Sequence, residues 1–123
     1  MNTEAIAKRL VELCREGKYE DAQDELYAED AASIEMDGLP EGALGNASGL
    51  PAIREKGRRW REGIEAIHGG GMSDPLIAGN WFSVSSWVDA TYKSMGRVDM
   101  REIAVYRVRD GKIVHEQFFY DMG

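Results

Sequence analysis

The stretch VYRVRDGKIVHEQFFYD, Val105 to Asp121, constrains the fold more than any other part of the chain. Two runs rich in β-branched and aromatic residues flank Asp110-Gly111. That dipeptide suits a two-residue hairpin turn, because both positions take positive φ. A two-stranded hairpin is not stable alone, so other elements must cover it. Polar residues sit among its hydrophobic ones: His115, Glu116 and Gln117, with Glu102 just upstream. They line a hole or form a solvated face, and the strand register decides which.

The rest of the chain supplies partners for the hairpin. Ile6, Leu10, Leu13 and Cys14 recur at helical spacing, so residues 3–16 read as an amphipathic helix, with Thr3 as cap and Gly17 as stop. A second helix spans about 18–28, and 32–36 reads as a short strand. The glycine-rich segment 37–49 is a loop. Pro51 opens a third helix. Its apolar face carries Ile53, Gly57, Trp60, Ile64 and His68, and the run Gly69-Gly70-Gly71 stops it. The basic run Lys56, Arg58, Arg59 and Arg61 is interleaved with glutamates and reads as a solvated helix face. Residues 72–78 suggest a proline-interrupted edge strand. Strands at 81–92, 98–108 and 112–120 complete a meander. Helices segregated from an antiparallel meander predict one α+β domain over residues 1–123; a strongly curved antiparallel sheet wrapped around the helices would make a cone with an internal pocket.

Composition narrows the functional classes. A chain of 123 residues suits a single core, and 43% hydrophobic with 30% charged residues is typical of a globular domain. The formal net charge of −7 disfavours nucleic acid and anionic membrane as partners. No apolar run approaches the ~18 residues of a membrane helix. The start MNTEAIAKRL has no apolar signal-peptide core, so the expected compartment is the cytoplasm. Cys14 is the only cysteine and fits a core thiol. Two distant histidines give no metal site, and no cofactor is required.

Two-residue turns at Asp110-Gly111 and Ser94-Met95 give a definite register. Glu102, Tyr106, His115, Gln117 and Phe119 then share one face with Ser85, Trp87 and Asp89. Aromatics, hydroxyls, carboxylates and an amide together have the makeup of a pocket wall. Glu102 and Asp89 are the candidate acid–base residues. In a desolvated pocket Glu102 titrates above a free glutamate, and beside an arginine it does not. The candidate ligand-binding residues are Trp60, His68, Ser85, Trp87, Tyr106, Gln117 and Phe119. The opposite face, with Val84, Val88, Ile103, Val105 and Phe118, predicts a homodimer. A β-bulge would exchange the two faces beyond it.

The element order resembles the nuclear transport factor 2-like superfamily, and within it the SnoaL-like group. The segments that carry the resemblance are YAEDAASIEM, LPAIREKGRRW and above all GRVDMREIAVYRVRDGKIVHEQFFYD. The resemblance implies a curved sheet around a hydrophobic pocket, often in a dimer. Its members include polyketide cyclases, ketosteroid isomerases and small-molecule hydrolases. The isomerases' tyrosine and two carboxylates correspond here to Leu10, Met36 and Ala104, with Asp37 and Glu102 close by. The aromatic–acid pair of many SnoaL-like proteins corresponds to Gln117 and Phe118. The expected function is cofactor-independent isomerase, cyclase or lyase chemistry on a small hydrophobic, ring-bearing carbonyl compound, moved by proton transfer. The alternatives are a non-catalytic binder of such molecules and a dimerising accessory module.

Overall fold

The computed structural model describes residues 1–39 and 44–121. Positions 40–43 of the expected 37–49 loop lie outside the described residues. Helix α1, Thr3–Arg15, is capped by Asn2 rather than Thr3: Asn2 Oδ1 accepts from the Ala5 amide at 2.8 Å. Its buried face is Ile6, Ala7, Leu10, Val11 and Leu13. Helix α2, Tyr19–Leu26, runs directly into strand β1, Tyr27–Ile34. Strand β2, Ala47–Ser48, precedes helix α3, Leu50–Glu62, which starts with Pro51 in its first turn and buries Ile53 and Lys56.

Helix α3 is shorter than its spacing predicts. It stops at Gly63, and the chain enters strand β3, Ile64–Met72. Ile64 and His68 therefore belong to a strand, and the glycine run lies inside it. Gly69 and Gly71 leave room for the Trp87 indole. A Cβ at Gly71 would fall 2.6 Å from Trp87 Nε1. Glycine is normally depleted in strands, which is why this run reads as a helix stop. Strands β4, Leu76–Ala78, β5, Trp81–Tyr92, β6, Gly96–Arg109, and β7, Lys112–Tyr120, follow.

The sheet is curved and unclosed, in the order β2-β1-β7-β6-β5-β3, with β4 on β5. It is mixed rather than wholly antiparallel, because β1 runs parallel to β7. The core joins the helices to one sheet face through Ile6, Leu10, Leu26, Ile53, Phe82 and Ile113. Phe82 stacks on Tyr106 with centroids 4.8 Å apart. No helix among the described residues is long and apolar enough to cross a membrane.

Two local features reset the predicted faces. The Asp110-Gly111 turn forms as expected, with φ of 52° and 75°, and Arg109 pairs with Lys112 and Val108 with Ile113. The next pair is Arg107 with His115, so Val114 is the extra residue of a bulge. From there Tyr106 pairs with Glu116, Ala104 with Phe118 and Glu102 with Tyr120. At the other turn, Tyr92 pairs with Gly96. The loop is thus Lys93–Met95, three residues, closed by Gly96 at φ 75°. Glu102 therefore faces Ser86, and Trp87 pairs with Arg101.

Candidate active site under helix α3

The corrected register builds three rows of side chains on the helix-covered face. Ser86, Glu102 and Tyr120 form the first, and Val84, Ala104 and Phe118 the second. Phe82, Tyr106 and Glu116 form the third, which Ser33 of β1 extends, since it pairs with Glu116. Lys56 enters from α3, three residues after the buried Ile53 and so on the same helix face. Its Nζ lies 2.7 Å from Glu35 Oε1 and donates to Ser33 Oγ at 2.9 Å. It also sits 5.2 Å from the centroid of the Phe118 ring. Tyr120 donates its hydroxyl to Glu35 Oε2 at 3.3 Å, and Ser86 donates to Glu102 Oε1 at 3.3 Å.

Lys56 thus pairs directly with Glu35 and acts at longer range on Glu102 and Glu116, all three carboxyls lying in a largely buried region. Burial pushes the Glu116 carboxyl up to about 7; Lys56 and Tyr27 pull it down, and Glu102 and Glu35 add a smaller upward push. Burial also raises Glu102, against the Ser86 hydrogen bond and Lys56. The hydroxyls of Tyr27 and Tyr106 are pushed well up, first by burial and then by Glu116. Cys14 is half-buried against the core, and burial moves its thiol up to about 12, which fits an unreactive thiol.

A cleft of about 90 Å³ opens beside this cluster, lined by Trp60, Ser86, Trp87, Val88, Tyr92, Met100 and Glu102. Trp60 meets Tyr19 edge-on, with centroids 6.4 Å apart. A larger cleft of about 460 Å³ lies between α1 and the β3–β4 turn. Its walls are Lys8, Glu12, Arg15 and Asp74 among others, and Arg15 and Asp74 form an exposed ion pair at 3.0 Å. None of the three clustered carboxyls borders it, so the smaller cleft is the chemically furnished one. Among the described residues no group of three or more His, Cys, Asp and Glu side chains is arranged to hold a metal ion.

The residues singled out from sequence divide between the two sheet faces. Glu102, Tyr106 and Trp60 lie on the helix-covered side, with Glu102 and Trp60 at the cleft and Tyr106 buried below it. Trp87 touches the cleft's border, but its indole packs on Gly69 and Gly71 of β3 with the Arg101 guanidinium 5.5 Å from its ring. Asp89 lies outside, paired with Arg97 at 2.8 Å, and the hydrogen bond to that arginine holds its carboxyl low. It does not share a wall with Glu102.

His68 is exposed on β3, its Nε2 2.7 Å from Thr91 Oγ1. Ser85 is exposed, and its amide donates to Ser73 Oγ at 2.8 Å. Gln117 lies 3.2 Å from His115 Nε2, and Phe119 is 43% exposed. Both shifted because of the Val114 bulge. The sequence reading missed Lys56, Glu35, Glu116, Phe118, Tyr120 and Ser86. For Lys56 a signal existed: Ile53, Lys56 and Trp60 fall at i, i+3 and i+7, one helix face. For Glu116 and Phe118 the signal was hidden by the bulge.

A family model for the SnoaL-like domain matches residues 1–120. No curated protein matches the chain. Among solved structures, a candidate SnoaL-like polyketide cyclase [carbohydrate phosphatase] from Mesorhizobium loti is 36% identical over 98% of this chain and 100% of its own, with a TM-score of 0.88. A protein named as a candidate isomerase from Bacillus subtilis shares the fold at 19% identity, with 98% and 90% covered and a TM-score of 0.72. A protein of ketosteroid isomerase-like fold from Catenulispora acidiphila shares it at 18% identity, with 95% and 85% covered and a TM-score of 0.71. With its helices, its curved sheet and nearly its whole length matched, the chain belongs to the SnoaL-like domain family.

Proposed function

We propose that the protein is a cofactor-independent enzyme that moves a proton α to the carbonyl of a small, hydrophobic, ring-bearing compound, in an isomerase, cyclase or lyase reaction. The observation that carries this reading is the placement of Glu102. Its carboxyl is raised by burial and forms part of the wall of the cleft that Trp60 and Tyr92 also line. A carboxylate brought closer to neutrality is a better match for abstracting and returning a proton near pH 7. Trp60 and Met100 offer apolar surface to the ring. The cleft's volume of about 90 Å³ suits a small single ring with its carbonyl rather than a fused ring system. The likeness to a candidate polyketide cyclase at 36% identity supports the same class of chemistry.

Deuterium incorporation tests the reading. A panel of small cyclic ketones is incubated with the protein in D₂O, and exchange at the α-carbon is followed by proton NMR. The expected result is exchange with at least one ketone, reduced on the order of 100-fold or more in Glu102→Gln with an unchanged circular dichroism spectrum. Equal exchange by Glu102→Gln removes Glu102 from the chemistry. Binding without exchange favours a non-catalytic binding protein.

The outer sheet face supports a second proposal, a homodimer. Trp81, Ile103 and Phe119 expose 41%, 52% and 43% of their surface on it. Val84, Val88 and Phe118, expected there from sequence, belong to the opposite face, whereas Ile103 and Val105 remain.

A further inference from the structure

We propose that Glu116 holds the proton of the carboxyl cluster beneath the cleft, so that Glu102, which borders the cleft, is the ionised base, and that Lys56 is the positioning residue that maintains the difference. The assignment rests on the proton-transfer reading and adds to it the residues that set its protonation state.

The geometry begins with what Lys56 does with its three N–H bonds. Glu35 at 2.7 Å and Ser33 at 2.9 Å are its polar contacts among the described residues, and the Phe118 ring lies close by. Its direct partner is therefore Glu35, and neither Glu102 nor Glu116 forms an ion pair with it. Three ionised carboxylates around one ammonium would leave two uncompensated charges in a largely buried site. Such a cluster sheds charge by keeping a proton on one member.

Which member keeps the proton follows from the surroundings. Glu116 is 6% exposed. It is faced by Cys14 of α1, by Tyr27 and Ser33 of β1, by Glu35 just after β1, by Lys56 of α3, and by Tyr106 and Glu102 of β6. Lys56 is the only cation among them, and it is committed to Glu35. Glu102 borders the cleft, receives a hydrogen bond from Ser86, and is faced by Glu35, Lys56, Tyr19, Tyr106 and Tyr120; Glu116 receives a hydrogen bond from Tyr27 but has no opening to the cleft. The more buried carboxyl, pushed up to about 7, is the one that holds its proton. A proton held on Glu116 removes one like charge from the cluster and leaves Glu102 free to ionise at the cleft.

Carbon-13 NMR of glutamate side chains, without any substrate, tests the assignment. In the wild type one buried carboxyl should titrate near pH 7, and its signal should be absent from Glu116→Gln. Glu102 should titrate earlier. Lys56→Met alone leaves Glu35 without its cation and risks the fold, so the double variant Lys56→Met/Glu35→Gln is the better probe. There the Glu116 midpoint should move upward, because the cation lowers it more than Glu35 raises it. The proposal is overturned if the late-titrating signal survives Glu116→Gln, if it belongs to Glu102, or if it does not move in the double variant. These readouts need no turnover. Their failure leaves the deuterium-exchange result standing, and a failed exchange assay leaves the titration standing.

Discussion

Lys56 Nζ and Glu35 Oε1 meet at 2.7 Å, with both side chains 8% exposed. An ion pair this buried contributes little net stability, because desolving both charges offsets their attraction. Breaking it is another matter. Lys56→Met should destabilise the protein by about 3–5 kcal/mol, since Glu35 would be left buried without its cation, with the Tyr120 hydroxyl as its remaining polar side-chain partner among the described residues. Lys56→Met/Glu35→Gln should recover a substantial part of that loss. Urea denaturation of the two variants checks the order, and equal stability would show that the pair is not the relevant interaction.

Glu116 gives the folding equilibrium a pH dependence of unusual sign. Its folded value is raised from 4.5 to about 7, so the folded state binds more protons than the unfolded chain between those values. Its stabilising contribution is complete below about pH 4.5 and is lost as pH rises to about 7. The loss amounts to about 3 kcal/mol for a shift of this size. Glu116→Gln carries no titrating group there. Denaturation midpoints measured from pH 5 to pH 8 should fall more steeply for the wild type than for this variant.

Most of the elements were legible in the sequence because their signals are local. The Asp110-Gly111 turn, both long hairpin strands and the apolar face of α1 follow from turn chemistry and periodicity alone. The site was not legible, because it depends on parity. One extra residue at Val114 turns Glu116 and Phe118 inward and Gln117 and Phe119 outward. One extra loop residue, closed by Gly96, exchanges Ser86 for Trp87 beside Glu102. Neither Val114 nor Lys93 carries a residue-type signal for these insertions. Lys56 was hidden differently: a charged residue in a charged run reads as solvated until the sheet supplies buried partners for it.

The outer face predicts an association that charge should disrupt. Ile103 is 52% exposed between Ser85 on β5 and Phe119 on β7, its direct cross-strand partners. A two-fold contact would bury the same patch on both subunits. Sedimentation at micromolar concentration should give about twice the 13.7 kDa chain mass. Ile103→Glu should shift the protein to monomer without altering its circular dichroism. A wild-type monomer under these conditions would remove the dimer.

Gly71 should be far less replaceable than its place in a glycine run suggests. Its backbone passes directly against the Trp87 indole, where a Cβ would meet Nε1 at 2.6 Å and Cε2 at 3.1 Å. The indole cannot simply swing aside: Gly69 carries its far edge, and the Arg101 guanidinium lies 5.5 Å from the ring. A methyl group there must push the ring or the strand, so Gly71→Ala should cost about 1–3 kcal/mol. This exceeds the stabilisation of roughly 0.4–1 kcal/mol that alanine brings by restricting the unfolded chain. Gly45 has no atom within 4 Å of the same position and no positive φ, so Gly45→Ala serves as the control and should stay within about 0.5 kcal/mol of wild type. Thermal denaturation compares the two. A changed tryptophan emission spectrum in Gly71→Ala alone would locate the disturbance at the indole, and equal stability of the two variants would show that the ring yields freely.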